Sequence, residues 1–552
     1  MSNSGKPSAT SDAFRTAIVI AVAVSVATGL VVNLSGEPSD VAPKPAALRP
    51  VAVARAGAEQ GRPPNILLVI ADDLGVDQVG AYGEGEQPAR TPTIDALAGR
   101  GVLFRNAWSN PVCSSTRATI LTGRYSFRTG VGFVALPGAE LKDREHTLPE
   151  ILARHPSANY GTAAFGKWHL NAIAAGTTDR LYLTAPLRAG FSHFQGSFEN
   201  IRNRYDNWED VKVAHVGDGN VKIEGPDMNK NYNTSEIVNY AGQWIRDFET
   251  RRPDDPWFVW LAFNAAHDPY HKPPAELHQV DLSDPDVTCQ NDSPHTHPER
   301  LLPCYQAMVE AMDTELGRLL NREMSAESLS RTTVIFLGDN GTITEVARNS
   351  FLASHAKGTT YEGGVNVPLV IAGALVETST SGGGRESEVL VNTTDLFATV
   401  LELAGLDVDA SVPSRYGTVP GTPAPIKDPS GLDELDVVLD SQSLLPQLLA
   451  KAPEDATKAR GFAYTELYRL GAPDPRYAIS QAIRDARGFK LIRFYETHDP
   501  AKSFELYDLA NDPDERVNLI GPNMSEEARR AQLVLHERLD VIDTFGWRPH
   551  GG

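Results

Sequence analysis

A cysteine and an arginine that stand four residues apart, Cys113 and Arg117, give the first indication of chemistry in this sequence. They follow a turn at Asn110 and fall at the start of a predicted short helix, whose first turn Ser115 or Thr116 would cap. A helix N-terminus favours a thiolate or another anion, and Arg117 would lie one turn along the same face. A half-buried thiol beside a surface arginine is the simpler interpretation of this spacing alone, so other segments have to support a catalytic one.

Two pairs of oxygen-bearing side chains follow apolar runs that have the length of buried strands. Asp72 and Asp73 end the first run, and Asp339 and Asn340 end a later one. Because residues beyond the carboxyl ends of strands in an α/β sheet gather in one crevice, the two pairs are expected to meet. Adjacent carboxylates that lose hydration need a cation, and an all-oxygen ligand set suits Ca²⁺ better than Zn²⁺. A solvated acidic turn is the alternative interpretation of the first pair.

Four cationic or titratable side chains stand near predicted strand ends or in a glycine-rich loop: Lys167, His169, His267 and Lys357. If the segment around Lys167 is extended, Lys167 and His169 project to one face and form a cationic pair suited to an anion. The two histidines could act as general acid and general base. Together with a metal and a nucleophile position, these residues describe a site that holds a tetrahedral oxyanion and displaces one of its ester groups.

Apolar periodicity indicates the elements that would position these residues. Continuous apolar runs predict strands buried on both faces, at 65–70, 257–263, 332–337 and 367–372. Helices are predicted at 91–101, near 147–154 and at 525–541, and shorter alternating segments predict an antiparallel sheet, at 462–467, 478–480 and 489–495. The expected architecture is an α/β catalytic domain over 65–454, followed by a smaller α+β domain over 455–552.

Charge and the first residues limit the cellular setting. The net charge of −20 over 552 residues argues against nucleic acid or an anionic membrane surface as a partner. Residues 1–34 carry an uncharged apolar run, 17–32, that predicts either a cleaved signal peptide or an N-terminal membrane anchor. Residues 35–64 are rich in Pro, Ala and Gly and predict a disordered linker. The catalytic domain is therefore expected outside the cytoplasm, in a periplasmic, extracellular or membrane-anchored protein.

The three cysteines fit an exported protein. Cys289 and Cys304 could close a small loop, with a stabilisation of about 3 kcal/mol if they pair. Cys113 is then left unpaired, and an unpaired cysteine in an oxidising compartment invites a functional explanation. Three further histidines have no regular metal-ligand spacing and are predicted to be loop residues: His271, His295 and His297.

Seven segments that contain most of these residues occur in the order of a known family: ILLVIADDLG, NPVCSSTRATILTGRY, FGKWHL, FNAAHDP, FLGDNG, HAKGTTYEGG and ELYDLANDPDERVNL. From Asn65 to about Leu519 the chain resembles the type I sulfatases of the alkaline phosphatase superfamily, and the arylsulfatases in particular. The resemblance implies a large mixed sheet flanked by helices, with a smaller C-terminal domain that contains an antiparallel sheet. It also implies hydrolysis of sulfate esters to an alcohol and inorganic sulfate.

In this family the motif cysteine is oxidised to Cα-formylglycine, whose hydrate is the nucleophile. The resemblance therefore implies this modification at Cys113, and as a partner the maturation enzyme that generates formylglycine. It implies one Ca²⁺ ion per chain, with ligands from five residues: Asp72, Asp73, Asp339, Asn340 and the modified Cys113. The chain departs from the family pattern at Ser115, where Pro or Ala is usual, and serine is acceptable at a helix start.

The resemblance also implies roles for five side chains around the nucleophile. Arg117 would steady it, and Lys167 and Lys357 would hold the sulfate oxygens. His267 would protonate the leaving alcohol, and His169 would help to remove the second hydroxyl proton so that sulfate leaves. The substrate is expected to be a small or saccharide sulfate ester. Two alternatives use the same residues: a phosphodiester or phosphonate monoester hydrolase, and a non-catalytic protein that binds sulfated ligands with an unmodified cysteine.

Overall fold

A computed structural model gives the fold, and it describes these residues: 62–135, 139–171, 179–217, 219–284, 287, 289, 298–347, 352–373, 375–376, 383–413, 437–450, 460–469, 478–495 and 503–546. The predicted signal or anchor segment, 1–34, and nearly all of the predicted linker, 35–64, lie outside this set. Within the described ranges, no helix is both long enough and apolar enough to cross a membrane. The domain boundary predicted at 454–455 also falls outside them, so that division stays a prediction.

Ten strands form one large sheet: Asn65–Ala71 (β1), Val102–Trp108 (β2), Gly161–Gly166 (β3), His193–Gly196 (β4), Trp208–His215 (β5), Val221–Asn229 (β6), Trp257–Ala262 (β7), Thr332–Gly338 (β8), Leu369–Gly373 (β9) and Arg385–Asn392 (β10). Their order across the sheet is β10-β2-β9-β8-β1-β7-β3-β4-β5-β6. Pairing is parallel from β8 through β4 and between β10 and β2, and antiparallel around β9 and from β4 to β6. The predicted large mixed sheet is confirmed.

Helices cover both faces of this sheet. The described α-helices are Pro92–Ala98 (α1), Cys113–Thr122 (α2), Ser126–Thr129 (α3), Leu148–Arg154 (α4), Arg180–Leu183 (α5), Ala185–Arg188 (α6), Asn233–Arg251 (α7), Pro298–Arg318 (α8), Ala326–Ser330 (α9), Glu362–Val365 (α10), Asp395–Leu403 (α11), Val408–Ser411 (α12), Leu445–Leu449 (α13) and Glu526–Gly546 (α14). Helices α2, α4 and α11 build the core on one face, and α1, α7 and α8 build the core on the other.

Strand β1 shows why continuous apolar runs predict the centre of this sheet. Its residues alternate between the two cores, with Ile66, Leu68 and Ile70 in one and Leu67 and Val69 in the other. All five side chains are fully buried. Burial of each one stabilises the fold by about 1.5–3 kcal/mol relative to an exposed side chain. A strand covered on both faces therefore needs a continuous run of apolar residues, as β1 has after Asn65.

Four further strands form a separate antiparallel sheet, in this order: Phe462–Tyr468 (β11), Ala478–Asp485 (β12), Phe489–Phe494 (β13) and Phe504–Asp508 (β14). The predicted antiparallel sheet is confirmed, and β14 is an addition to it. Helix α14 packs on this sheet, because Leu535 and Leu539 share a core with Ile483, Leu491 and Leu506. The predicted C-terminal helix is thus present and runs a few residues further than expected.

A buried ionic cluster joins the second sheet to the first. Lys490 on β13 is 0% exposed, and its Nζ lies 3.0 Å from Glu362 Oε1 and 2.8 Å from Glu515 Oε1. The backbone N–H of Glu362 donates to Glu515 Oε2 at 2.6 Å, and Arg484 adds a cation 3.3 Å from Glu362 Oε2. Lys490 Nζ also lies 4.7 Å from the ring centroid of Trp108. The second sheet therefore holds the end of β2 and the start of α10, two segments next to predicted site residues.

Lys490→Met is expected to lower the free energy of unfolding by about 3–5 kcal/mol, because it leaves buried carboxylates without one of their cations. Methionine keeps an unbranched apolar side chain, so the effect reports the lost charge. Urea unfolding followed by circular dichroism would measure it. Lys222→Met is the control, since it removes an exposed lysine paired with Glu224 and should change stability by less than about 1 kcal/mol. Equal, small effects of the two variants would contradict the assigned importance of the buried cluster.

The pairing considered possible for two of the cysteines is present. Cys289 and Cys304 form a disulfide, with their Cα atoms 5.5 Å apart. Cys113 is a free, buried thiol. Two of the histidines predicted to be loop residues, His295 and His297, lie outside the described residues.

Candidate active site

The two predicted pairs of oxygen ligands meet at the carboxyl end of the large sheet. Strands β1 and β8 are parallel neighbours whose register pairs Ala71 with Gly338, so the residues that follow them lie side by side. The backbone N–H of Asp73 donates to Asp339 Oδ1 at 3.2 Å. Asp73 has a φ of 60°, a left-handed conformation that aspartate tolerates better than most residues. The tight turn after β1 thereby gathers the carboxylates of Asp72 and Asp73 beside that of Asp339.

These carboxylates form a buried ligand set that fits a hard cation. Oxygens of Asp72, Asp73 and Asp339 and the Sγ of Cys113 all lie within 4.8 Å of one another. Asn340 Nδ2 donates to Asp73 Oδ1 at 2.9 Å, while Asn340 Oδ1 is buried and has no hydrogen-bond partner among the described residues. An unpaired buried acceptor costs about 1–3 kcal/mol, and a bound cation would satisfy it. The donor set of three carboxylates and one amide oxygen suits Ca²⁺.

Cys113 is the first residue of α2, one position further into the helix than predicted. The prediction that Ser115 or Thr116 caps this helix is wrong, because Val112 occupies the N-cap position and no side chain caps it. Every residue of α2 is buried, and the Ser115 hydroxyl turns back to donate to the carbonyl of Val112 at 2.9 Å. Gly123 ends the helix with a φ of 68°, as predicted.

The thiol of Cys113 faces the acidic cluster and a lysine. Its Sγ lies 3.5 Å from Asp72 Oδ1 and 3.9 Å from Lys357 Nζ, and the residue is 1% exposed. Burial raises the pKa of the thiol to about 12, against the opposing effect of Lys167 and Lys357. The expected preference for a thiolate at this helix start is therefore wrong, and Cys113 is a protonated thiol at neutral pH.

Arg117 is fully buried and binds Asp339. Its Nε and Nη2 donate to Asp339 Oδ2 at 3.1 and 2.8 Å, and its Nη1 donates to the carbonyl of Lys167 at 2.8 Å. Burial opposes the charge of Arg117, but Asp339 and Asp72 outweigh it and raise the pKa of the guanidinium. Arg117 therefore stays cationic and ties α2 to one of the candidate metal ligands and to the turn that follows β3.

Each of the two predicted lysines pairs with a carboxylate of the cluster. Lys167 Nζ donates to Asp72, and Lys357 Nζ donates to Asp73. Burial would raise the pKa of Asp72, yet Lys167 and the other nearby cations lower it far below its usual range. The loop that carries Lys357 bends at Gly358, whose φ of 83° favours glycine and whose N–H donates to the turn before α2. This bond holds the lysine loop against the cysteine.

His169 lies beyond the end of β3 at Gly166, so the extended arrangement considered for Lys167 and His169 is wrong. The residue has a φ of 55°, and its N–H donates to the carbonyl of Phe198 at 2.9 Å. Burial, reinforced by the charge of Lys167, lowers the pKa of the imidazole well below its usual value. Its Nδ1 is buried and has no hydrogen-bond partner among the residues that the structure describes. A neutral imidazole with an unpartnered ring nitrogen is suited to a general base.

The pKa of His267 is shifted in the opposite direction to that of His169. His267 Nδ1 lies 2.9 Å from the carbonyl and 2.8 Å from a carboxylate oxygen of Asp268, so Nδ1 carries a hydrogen. Its Nε2 lies 3.9 Å from Asp73 Oδ2 and 3.0 Å from the side-chain amide of Asn200. Burial would lower the pKa of this imidazole, but Asp73 and other acidic neighbours raise it overall. A charged imidazole with a hydrogen on Nε2 is suited to a general acid.

Two supporting residues, Tyr205 and Tyr305, were not found from the sequence. The Tyr205 hydroxyl lies 2.8 Å from the carbonyl of His267, and His271 stacks on the Tyr205 ring with 4.3 Å between centroids. The Tyr305 hydroxyl donates to the carbonyl of Asp73 at 2.7 Å. These contacts fix the backbone of two predicted site residues, and His271 lies in a loop, as predicted. Single tyrosines with no spacing pattern carry no signal of this kind in a sequence.

The site is open on one side. Cys113, Lys167 and Asp339 are at most 1% exposed, whereas the side chains of His267 and Lys357 are 13% and 18% exposed. A ligand must therefore enter beside His267 and Lys357. Inside, an anion would meet lysine, arginine and metal charges in a place sheltered from water, where such charges act strongly.

Comparison with known proteins agrees with this geometry. The family described as Sulfatase matches residues 64–406. The N-acetylgalactosamine-6-sulfatase of Sus scrofa is 31% identical over 374 residues, which are 63% of this chain and 63% of that protein, so the chain spans less than two thirds of this relative's length. Human arylsulfatase A is 28% identical over 526 residues, which are 89% of this chain and 91% of that protein.

A solved structure supports the fold. The crystal structure of the PsFucS1 sulfatase from Pseudoalteromonas sp. aligns with a TM-score of 0.61 at 22% identity, and covers 90% of this chain and 93% of that one. The family match takes in every candidate ligand and catalytic residue, from Asp72 to Lys357. The chain therefore belongs to the type I sulfatase family of the alkaline phosphatase superfamily.

Proposed function

We propose that the protein hydrolyses sulfate esters to an alcohol and inorganic sulfate, using a Cα-formylglycine formed from Cys113 and one bound Ca²⁺ ion. The observation that carries this proposal is the convergence of Cys113 Sγ with three buried carboxylates within 4.8 Å, in a chain of the sulfatase family. The hydrate of formylglycine would supply a nucleophilic hydroxyl, and Ca²⁺ would offset negative charge beside it. Asp72, Asp73, Asp339 and Asn340 would hold the ion.

The cations of the site would bind the sulfate group. Lys167 and Lys357 now pair with Asp72 and Asp73, and both carboxylates are candidate metal ligands. A bound Ca²⁺ ion would take up the charge of those carboxylates, so the ammonium groups become available to the ester oxygens. Arg117 would act through its contacts, because it fixes a metal ligand and the backbone of Lys167.

The two histidines are suited to opposite proton transfers. His267, whose pKa is raised, would protonate the leaving oxygen from Nε2 as the ester bond breaks. His169, whose pKa is lowered, would accept a proton from a hydroxyl at position 113. A general acid and a general base need different pKa values, and the surroundings of these two histidines shift their pKa values in opposite directions.

A sugar sulfate is the proposed substrate class. The relatives that are about 30% identical are named N-acetylgalactosamine-6-sulfatase, so their names point to a sulfated amino sugar. The related human protein of similar length is named arylsulfatase A, which points to small aryl esters as convenient test substrates. The reaction at sulfur would be the same for both kinds of ester, because the cluster around Cys113 would contact only the sulfate end.

The proposal is tested by comparing two esters of 4-nitrophenol, its sulfate and its phenylphosphonate. Protein from a host that makes formylglycine is expected to hydrolyse the sulfate with the higher kcat/KM. Release of nitrophenol in steady state measures both reactions. A clear preference for the phosphonate ester would instead identify a phosphoryl hydrolase, and no turnover of either ester by matured protein would favour a binding protein.

Lys357→Ala is expected to lower kcat/KM for 4-nitrophenyl sulfate by about 10²–10³-fold, the usual effect of removing one group that stabilises developing negative charge. The physical reason is the position of Lys357 Nζ, 3.9 Å from the Sγ of Cys113. Lys272→Ala, which changes an exposed lysine in the segment after His267, is the matched control and should leave the rate nearly unchanged. An unaltered rate in Lys357→Ala would contradict the assigned role.

Export and maturation complete the proposal. Residues 1–34 would direct export, either as a cleaved signal or as an anchor through 17–32, and the catalytic domain would then lie outside the cytoplasm. The Cys289–Cys304 disulfide supports this setting, since disulfides persist in oxidising compartments. The maturation enzyme would have to act on the chain before it folds, because Cys113 is 1% exposed in the folded protein.

A further inference from the structure

The loop that carries Lys357 lies between the candidate active site and the second sheet. On the side of the site, the backbone N–H of Lys357 donates to the carbonyl of Thr342 at 3.0 Å, and that of Gly358 donates to the carbonyl of Pro111 at 3.0 Å. The Lys357 ammonium donates to Asp73. A lysine side chain is a flexible four-carbon stem, so the place of its ammonium depends on how firmly its loop is held.

The second sheet contacts the same loop through two hydroxyl groups. Thr360 Oγ1 donates to Ser480 Oγ on β12 at 3.1 Å, and the Tyr361 hydroxyl donates to Glu505 Oε2 on β14 at 2.6 Å. Burial and the charge of Glu505 raise the pKa of the Tyr361 hydroxyl, so this hydroxyl stays protonated and remains a donor. A hydrogen bond to a carboxylate is stronger than one between two neutral groups, so the bond to Glu505 is the stronger of the two.

The ring of Tyr361 connects this bond to the residues just before the lysine. The ring stacks on the imidazole of His355, with 3.6 Å between centroids and 6° between planes. His355 is 6% exposed, ends a short 3₁₀ helix and stands two residues before Lys357. Between them, the carbonyl of Ala356 accepts a hydrogen bond from the Thr359 hydroxyl at 2.8 Å. Contacts therefore run without a break from the second sheet to the backbone that places the lysine.

We infer that Tyr361 and Glu505 are positioning residues that hold the loop of Lys357 where its ammonium meets the sulfate group. The second sheet would then contribute to turnover as well as to stability. The inference rests on the proposed sulfate ester hydrolysis, which gives Lys357 its role. In that reaction the ammonium exchanges Asp73 for the sulfate oxygens, and the loop is then what fixes its position. A displacement of about 1 Å can cost a reaction about 10²-fold, so a loosened loop has a measurable effect.

The first test compares two tyrosine hydroxyls that donate to the same carboxylate oxygen. Tyr361→Phe removes the bond to Glu505 and keeps the ring that stacks on His355, and it is expected to lower kcat/KM for 4-nitrophenyl sulfate about tenfold. Tyr507→Phe is the matched control, because the Tyr507 hydroxyl donates to Glu505 Oε2 at 2.7 Å from β14 itself and not from the lysine loop. Its kcat/KM is expected to stay within about twofold of the native value. Thermal unfolding should show a similar, small decrease in Tm for both variants.

A second test separates positioning from a general loss of stability. Tyr361→Phe is combined with Lys357→Ala, and the double variant is expected to have a kcat/KM within about twofold of that of Lys357→Ala alone. The reason is that a residue that acts through Lys357 has nothing left to position once the ammonium is absent. A general weakening of the fold would instead lower the rate by the same factor in both backgrounds.

Glu505→Ala breaks the same contact from the side of the second sheet. It is expected to lower kcat/KM by a factor within about threefold of that for Tyr361→Phe, because both changes remove one hydrogen bond. A native rate in either variant, equal losses in Tyr361→Phe and Tyr507→Phe, or a further tenfold loss on top of Lys357→Ala would overturn the inference while sulfate hydrolysis stands. Failure of the native, matured protein to release nitrophenol from the sulfate would overturn the proposed function, and this inference with it.

Discussion

Cys113→Ala is expected to reduce kcat for 4-nitrophenyl sulfate by about 10⁴-fold or more, because it removes the residue proposed to carry the nucleophile. The fold should survive, since alanine fills most of the space of a small buried side chain and the cost is about 1 kcal/mol. Initial rates with the sulfate ester and thermal unfolding of both proteins would measure the two effects. Loss of activity with a nearly unchanged Tm assigns the defect to chemistry and not to folding.

Ser115→Ala is the matched control for this experiment. It changes a residue two positions away, loses the hydroxyl bond to the carbonyl of Val112 at 2.9 Å, and creates the alanine that the family pattern has there. We expect it to retain activity and to be matured at least as fully as the native chain. Residual hydrolysis by Cys113→Ala within tenfold of the native rate would contradict the assigned nucleophile.

Mass spectrometry of the tryptic peptide 106–117 tests the modification itself. This peptide contains Cys113 and Ser115. In active protein it is expected to show the mass loss that replaces the thiol by an aldehyde oxygen. A free thiol in every active preparation would contradict formylglycine, even if sulfate esters are hydrolysed.

The convergence of the candidate ligands was predictable because it depends on a simple topological rule. Strands buried on both faces have continuous apolar sequences, and the carboxyl ends of parallel strands lie in one crevice. Asp72 and Asp339 stand 267 positions apart in the chain, yet the parallel pairing of β1 and β8 brings them together. The runs and the polar residues that end them are local features of the sequence, so the convergence follows once the strands are assigned.

The partners of the charged groups were not predictable in the same way. Arg117 was expected to reach back along its own helix to Cys113, and it binds Asp339 instead, 222 positions away. Helical spacing offers only near neighbours, whereas a buried guanidinium needs a full set of acceptors and takes them wherever packing supplies them. The pKa of Cys113 was not predictable either. Burial has the largest effect on it, and the position of a residue at a helix start does not reveal burial.

The strands β5 and β6 were not predicted from the sequence, because their partly exposed residues do not form an apolar run. The contact of Asn200 with His267 joins two loops, and no spacing or composition in the sequence marks it.

Asp73→Asn is expected to raise the Kd for Ca²⁺ by about 100-fold or more and to lower kcat/KM by about 10³-fold, because it removes one of the charges that would hold the ion. The backbone should be undisturbed, since asparagine also tolerates the φ of 60° found at this position. The N–H bond to Asp339 and the bond from the Tyr305 hydroxyl to the carbonyl do not involve the changed atoms. Calorimetric titration of metal-free protein with CaCl₂ would measure the affinity.

Thermal unfolding gives a readout that does not depend on activity. Ca²⁺ that binds only the folded state should raise the Tm of native protein, and the same concentration should raise that of Asp73→Asn much less. Asp77→Asn is the matched control, because Asp77 is a buried aspartate that accepts a hydrogen bond from Thr342 at 2.7 Å and is not in the ligand cluster. It should keep the native response to Ca²⁺. Equal stabilisation of native protein and Asp73→Asn by Ca²⁺ would remove Asp73 from the ligand set, and with it the reason for grouping the ends of β1 and β8 into one metal site.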